Sequence, residues 1–145
     1  AFGYAIPVNL ACALAQNVID NYTSASGKAR IAKLGVSLKT EDDKGVYDEA
    51  TGKYFIEEKV ILDTVEVTGA AYKAGLQRGD TLVSATLRSP SNGTKTVNLT
   101  REYMLGNLLM EVRLGDSITF RVSRDGQAKD VTVAFSSGSN FSTIA

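Results

Sequence analysis

The sequence contains no histidine, and this absence excludes more chemistry than any other feature of its composition. Histidine is the commonest general base in enzymes and the commonest side-chain ligand of metal ions. A Ser-His-Asp or Cys-His catalytic site within this chain is therefore excluded. We predict no catalytic residue, no metal site and no cofactor in this chain.

The chain is also poor in cysteine and has no excess of charge. Cys12 is the only cysteine, so an internal disulfide is excluded, and its apolar neighbours predict a small packed hydrophobic side chain. Sixteen basic side chains balance sixteen acidic ones. Because no net field favours nucleic acid or an anionic membrane, we expect neither as a partner.

Long apolar runs are missing as well. No run approaches the roughly twenty residues that a helix needs to span a bilayer. The 145 residues suffice for one domain with a real core and an appendage. The first residue is not methionine, so we expect a fragment or a processed product.

The most informative stretch that is present runs from Ala74 to Ser84 and reads AGLQRGDTLVS. Gly75 can adopt the left-handed backbone that ends a short helix, Leu76 returns to the core, and a Gly-Asp turn leads into a strand from Thr81. The run resembles the A-G-L-x-x-G-D signature of PDZ domains, in particular the circularly permuted bacterial kind. A helix-to-strand turn in some other fold is the alternative.

The first 24 residues carry a second resemblance. The segment GYAIPVN, from Gly3, precedes an amphipathic helix that we expect to end near Tyr22. This arrangement resembles the last strand and C-terminal helix of the trypsin-like domain of HtrA-type serine proteases, which run directly into a PDZ domain. The apolar stripe of the helix is expected to be packed, and it comprises Val8, Ala11, Cys12, Ala15, Val18, Ile19 and Tyr22.

The candidate binding site begins in the segment AKLGVSL, from Ala32 to Leu38. It resembles the entry of HtrA-type PDZ domains, where consecutive backbone N–H groups hold the C-terminal carboxylate of a peptide. The glycine supports this interpretation independently, because it lets the backbone approach an anion closely. An ordinary kink in a strand is the alternative. The candidate peptide-binding residues here are Leu34, Gly35, Val36, Ser37 and Leu38.

A helix from Arg101 to about Val112 supplies the other wall of the predicted groove. It carries two apolar stripes, Leu105-Leu109-Val112 and Met104-Leu108, which suggests one stripe for the sheet and one for a ligand. We predict that Met104 and Leu108 face the groove with Leu105 behind them. The alternative is that all five are core residues.

The remaining segments read as hairpins and a tail. Residues 46–56 predict a β-hairpin at a point where PDZ domains commonly have a short helix or loop. It could be a decorated loop, a cover for one end of the groove or a contact with the protease body. Residues 117–135 predict a closing hairpin. Residues 137–145 are expected to form a flexible tail, with docking into the groove of a neighbouring molecule as the alternative.

Together these features predict an α+β, mainly β fold: a permuted PDZ-like antiparallel sandwich or partial barrel capped by two helices, plus an N-terminal helix. Residues 1–24 would belong to a protease domain, 25–136 to the PDZ domain and 137–145 to the tail. The resemblance implies that the chain binds the C-termini of peptides or unfolded proteins for an HtrA-type serine endopeptidase. That protease would work outside the cytoplasm, in a periplasm or at a cell surface, and could be membrane-anchored.

Two other functions stay open from the sequence alone. The domain could hold protease subunits together as a homo-oligomer without contacting substrate. It could also belong to another PDZ-bearing protease, either a C-terminal processing protease or an intramembrane metalloprotease, although the GYAIPVN segment argues against this.

Overall fold

The computed structural model describes residues 8–21 and 29–143. The helices there are α1 (Val8–Asn21), α2 (Ala70–Ala74) and α3 (Tyr103–Glu111), and a single 3-10 turn covers Gly138–Asn140. The strands are β1 (Arg30–Ala32), β2 (Val36–Asp48), β3 (Lys53–Val65), β4 (Thr81–Ser89), β5 (Gly93–Asn98), β6 (Ser117–Arg124), β7 (Gln127–Ala134) and β8 (Phe141–Thr143).

The strands form one large and one small antiparallel sheet. The large sheet has the order β2-β3-β4-β6-β7, with β5 paired to β4, and the small sheet pairs β1 with β8. This mainly β architecture with helices against an antiparallel sheet confirms the predicted fold class. Its most important consequence for function is that β2 lies at an edge of the large sheet.

The core lies under the large sheet, where alternating side chains of neighbouring strands meet. Ile118, Phe120 and Val122 on β6 are completely buried, as the alternation of that strand predicts. Phe135 follows β7 and packs against Phe141 at a ring-centroid distance of 6.2 Å. These residues belong to one continuous hydrophobic cluster that also includes the apolar side chains of β3, β4 and α3.

The Gly-Leu-x-x-Gly-Asp turn forms as predicted. Gly75 ends α2 with a φ of 102°, and its N–H group donates to the carbonyls of Ala71 and Tyr72. The buried carboxylate of Asp80 accepts a hydrogen bond from the Gln77 N–H at 3.0 Å and a bidentate pair from Arg124, both at 2.7 Å. Asp80 therefore fixes its own turn and ties it to the end of β6.

The apolar stripe of α1 is exposed, so the packing predicted for it is not found within residues 8–21 and 29–143. Val8 and Ile19 are 74% and 66% exposed, and Cys12 is exposed rather than packed. The helix contacts the domain through its other side, where Asn17 is completely buried. The hydrogen bonds of Asn17, together with Leu10 and Ala13, which line a cavity against α3 and β5, therefore decide which face of α1 lies inward. Tyr22, the last member of the stripe, lies outside the described residues.

The predicted flexible tail is also wrong for the part that the structure describes. The Ser137 side chain caps the 3-10 turn, and β8 then pairs with β1 in the register Arg30–Thr143, Ile31–Ser142 and Ala32–Phe141. Phe141 is 9% exposed and belongs to the core. The apolar contact with Phe135 and the strand pairing hold this segment on the domain. Docking of the chain end into a neighbouring groove depends on the carboxylate of Ala145, which lies outside the described residues, and stays a prediction.

Candidate functional site

The candidate site is a groove between the edge strand β2 and helix α3. Its cavity has a volume of about 480 Å³. Val36 and Leu38 form the strand wall, and Leu105, Gly106 and Leu109 form the helix wall. Because Gly106 has no side chain, space remains between Leu105 and Leu109 on the helix wall. The two leucines make this wall of the groove apolar.

The outer edge of β2 is available to another strand. Within the described residues β2 pairs only with β3, so its second set of backbone N–H and C=O groups has no ladder partner. Val36 and Leu38 are half-buried beside α3, whereas Ser37 is exposed and contacts the Thr64 hydroxyl at 2.7 Å. Unpaired edges of this kind are templates for an added strand.

The turn at Gly35 closes one end of the groove. Gly35 has a φ of 74°, and a Cβ atom there would lie 2.9 Å from the Cα of Gly69. The carbonyls of Leu34 and Gly35 accept hydrogen bonds from Ala71 and Glu66 at 3.0 and 2.8 Å. Because N–H and C=O point in opposite directions across a trans peptide, the N–H groups of Gly35 and Val36 point away from these partners.

Two lysine side chains lie beside this turn. A cavity of about 520 Å³ adjoins the groove at Val36, and Lys33 and Lys73 are part of its lining together with Glu66. Outward-pointing N–H groups near ammonium groups favour an anion such as a carboxylate. The close contact between Gly35 and Gly69 excludes larger residues at either position, so the geometry of the turn depends on both glycines.

The opposite end of the groove is polar. Glu58 on β3 and Arg101 before α3 form an ion pair with an Nε–Oε1 distance of 3.5 Å. The Glu102 N–H donates to the second Glu58 oxygen at 3.4 Å, and the Arg101 guanidinium lies 5.8 Å from the centre of the Tyr103 ring. These contacts hold the start of α3 against β3 and set the width of the groove there.

The structure places the predicted site residues at four different locations. Val36, Leu38 and Leu105 line the groove, Leu34 and Gly35 form the turn at its end, and Ser37 lies on the opposite face of β2. Met104 and Leu108 do not reach the groove, which corrects the prediction for the helix. They line a separate cavity of about 260 Å³ against α1 and β5.

The groove side of α3 is instead the stripe that begins with Leu105 and continues to Leu109. The sequence predicted both stripes, but it assigned Met104 and Leu108 to the groove and Leu105 to the position behind them. This assignment did not anticipate that α1 and β5 cover Met104 and Leu108. It also missed Glu58, Arg101 and Gly106. Gly106 precedes Leu109 by three positions, a helical spacing that places both on one face and indicates Gly106 as a groove residue. Glu58 has no such signal, because it reaches the groove only through the path of β3.

In ranges 8–21 and 29–143 no three His, Cys, Asp or Glu side chains are grouped to hold a metal ion. None of the helices described is long and apolar enough to cross a membrane.

An edge strand, a facing helix and a glycine turn at their shared end form an arrangement to which a peptide could be added as a strand. No family model and no curated protein matches the sequence. Among solved structures, the chain is similar to the HtrA-type protease AlgW with decapeptide, at 22% identity and a TM-score of 0.59. A serine-to-alanine form of AlgW with decapeptide matches with a TM-score of 0.58, also at 22% identity.

The alignment to AlgW covers 99% of this chain and 37% of the AlgW chain, and that to the variant form covers 99% and 36%. The chain thus spans little more than a third of the length of these proteases. The likeness shows the fold, and it agrees with the family that the sequence resembles, the PDZ domain of an HtrA-type protease.

Proposed function

We propose that this chain is a PDZ-type module that binds the C-termini of peptides or unfolded proteins for an HtrA-type serine endopeptidase outside the cytoplasm. The observation that carries the proposal is the apolar groove between the unpaired edge of β2 and α3, closed at one end by the Gly35 turn. Recruitment of substrate and regulation of the protease both follow from such binding.

Binding would proceed by strand addition. The peptide lies antiparallel to β2 and exchanges main-chain hydrogen bonds with its free edge. Its carboxylate accepts from the N–H groups around Gly35, and its last side chain enters the space between Val36 and Leu109. A small apolar last residue fits this space, and we expect micromolar affinity, about −6 to −8 kcal/mol.

Catalysis would come from another part of a longer protein, since a chain without histidine has no Ser-His-Asp triad of its own. The likeness to HtrA-type proteases supports a serine protease as that protein. Reading the parent sequence for a histidine, an aspartate and a G-x-S-G motif tests this part of the proposal.

Peptide binding is tested by fluorescence anisotropy with a library of C-terminal peptides and the complete 145-residue chain. Each peptide that binds is measured again as its C-terminal amide, which lacks the carboxylate. Loss of binding with the amide supports the groove. Equal binding of acid and amide, or no binding at several hundred micromolar protein, contradicts it.

The second candidate function is assembly of protease subunits. It is favoured by the exposed apolar face of α1, which the described domain does not cover. Sedimentation equilibrium of the complete chain distinguishes the two functions, because an assembly module self-associates without peptide. The predicted homo-oligomer belongs to this second candidate.

A further inference from the structure

The hairpin of β2 and β3 extends well beyond the groove. Each of its strands has 13 residues, but β3 pairs with β4 only at Val60 and Ile61. Residues 44–57 therefore form a two-stranded ribbon that projects from the large sheet. Such a ribbon is marginally stable by itself in water, so exposed apolar side chains on it need a reason.

One face of the ribbon continues the face that carries the groove. Side chains alternate along β3, so Tyr54 and Ile56 lie on the same side as Glu58, which lines the groove. Their partners across the hairpin are Tyr47 and Gly45. We call these four residues, Gly45, Tyr47, Tyr54 and Ile56, the ribbon face.

The ribbon face is apolar, exposed and shaped to receive a side chain. Tyr47, Tyr54 and Ile56 are 51%, 79% and 49% exposed, and the two tyrosine rings contact each other at a centroid distance of 4.8 Å. Gly45 lies opposite Ile56, and a Cβ atom added to it would meet no atom within 4 Å. The gap above Gly45 thus exposes Ile56 beside a wall of two aromatic rings.

A peptide in the groove would run toward this gap. With its carboxylate at Gly35 and an antiparallel direction, its upstream residues follow β2 from Val36 toward Asp48. Gly45 comes nine positions after Val36, so a residue about eight or nine places from the peptide C-terminus lies beside it. The bulge at Asp42 and Asp43 twists the edge between the two regions without ending β2.

The hairpin is also acidic, although the whole chain is neutral. Residues 41–59 contain seven aspartates and glutamates but only three lysines. The lysines at 44 and 59 pair with Glu57 and Asp42, at 3.6 and 2.9 Å. Glu41 and Glu58 pair with Lys39 and Arg101, which lie outside this range. Asp43, Asp48 and Glu49 are left against Lys53, and this excess of negative charge favours a cationic ligand segment, at a strength that falls with ionic strength.

We propose that the ribbon face binds the upstream part of the same peptide whose C-terminus occupies the groove. The occupant is an extended basic segment with an aromatic or large aliphatic side chain about eight or nine residues before its C-terminus. This inference rests on the proposed function, and it extends recognition from a terminal motif to about ten residues.

The test compares three peptides with the same last five residues, taken from the tightest binder in the carboxylate-dependent library. The first is the pentapeptide, the second a dodecapeptide with upstream lysines and a leucine eight residues before the C-terminus, and the third the same dodecapeptide with glutamates for lysines. We expect the lysine dodecapeptide to bind about tenfold more tightly than the pentapeptide, and the glutamate dodecapeptide to show no gain.

Two substitutions locate the gain on the ribbon face. Gly45→Val fills the gap with a residue that suits a strand, and Tyr47→Ser removes one aromatic wall. Both should abolish the gain of the lysine dodecapeptide and leave pentapeptide affinity unchanged. Phe55→Ser is the matched control, because Phe55 is exposed on the opposite face of the ribbon and its loss should change neither affinity.

The outcomes separate this inference from the proposed function. Carboxylate-dependent binding of the pentapeptide with no gain for the dodecapeptide overturns the inference alone, as does a gain that survives Gly45→Val and Tyr47→Ser. If Tyr47→Ser instead changes the sedimentation mass and not the dodecapeptide affinity, the ribbon face is a contact between copies and the inference is wrong. Failure of every peptide in the library overturns the proposed function.

Discussion

Leu38 is the residue whose side chain best separates peptide binding from assembly. It lies half-buried in the groove wall of β2, whereas its neighbour Ser37 is exposed on the other face of the strand. We predict that Leu38→Glu weakens peptide binding by more than tenfold, because a carboxylate would enter the apolar groove and repel the peptide terminus. Anisotropy measures this change.

Ser37→Glu is the matched control for Leu38→Glu, since it places the same charge one residue away and outside the groove. It should leave peptide affinity within about twofold. Loss of a native oligomer with Leu38→Glu, at unchanged peptide affinity, would favour the assembly function instead.

The ionised carboxylate of Asp80 stabilises the fold, and this contribution depends on pH. Burial opposes its ionisation, but the hydrogen bonds from Arg124 and the Gln77 N–H together hold the pKa of Asp80 below its usual value. An unfolded aspartate titrates near pH 4, so this stabilisation is fully present above about pH 4 and is lost as the pH falls through the lower folded pKa.

We predict that Asp80→Asn lowers the free energy of unfolding at pH 7 by about 2 to 4 kcal/mol, because Arg124 keeps a largely buried charge without its partner. The loss of stability in acid should also be smaller in the variant. Urea unfolding at pH 7 and pH 3 measures both effects. Asp130→Asn, in the exposed pair with Arg121, is the control and should change little.

At the scale of elements, one asparagine holds α1 on the domain. Asn17 Nδ2 donates to the carbonyls of Arg30 and Met110 at 2.7 and 2.6 Å, and its Oδ1 accepts from the Arg30 N–H at 2.8 Å. Met110 belongs to α3, so the same side chain joins α1, the entry to β1 and the helix of the groove. The pair Arg113–Asp20 adds a second α1 contact at 3.0 Å.

We predict that Asn17→Ala releases α1 from the domain, because three backbone groups lose their buried hydrogen-bond partner. Each unsatisfied group would cost up to about 3 kcal/mol of the free energy that holds α1 in place. Hydrogen exchange should become faster throughout residues 8–21 and at the end of α3. Ile19→Ala, which shortens a side chain of the same helix that is 66% exposed, is the control. Unchanged protection of α1 in Asn17→Ala would contradict the assigned role.

The sequence predicted most elements correctly because their signals are local. The Gly75 cap, the hairpin around Gly52 and the alternation of β6 each follow from neighbouring residues alone. The orientation of amphipathic helices is not local. Which stripe of α3 faces the groove depends on where α1 lies, and the inward face of α1 depends on the distant partners of Asn17.

The same distinction explains the outcome for the candidate site. The Gly35 turn and the Val36–Leu38 wall lie in one continuous segment with a recognisable pattern, and the structure brings them together with Leu105. Glu58 and Arg101 are 43 residues apart in sequence, and no pattern in either segment indicates that they pair. Peptide binding by these residues stays a prediction.

At the scale of the whole molecule, β8 completes the domain. It pairs with β1 and places Phe141 in the core, so residues up to Thr143 take part in the packed structure. We predict that truncation after Ser137 lowers the free energy of unfolding by about 3 to 5 kcal/mol, the cost of removing a buried phenylalanine side chain. Thermal and urea unfolding measure this loss.

The control for the truncation is a chain that ends after Thr143, which keeps β8 and should unfold like the complete chain. If the chain that ends after Ser137 is as stable as the chain that ends after Thr143, the contact between Phe135 and Phe141 contributes little to the free energy of unfolding. Peptide-binding studies should then give the same result with either chain.

The pairing of Arg30 with Thr143 has a consequence for protein engineering. Because these residues face each other across the small sheet, a linker of a few residues could join them into a closed circle. The circle could then be opened at the turn around Gly126 between β6 and β7. Such a rearranged chain would keep every strand pairing of the large sheet, and its new ends would lie at the turn between β6 and β7, where a reporter could be fused.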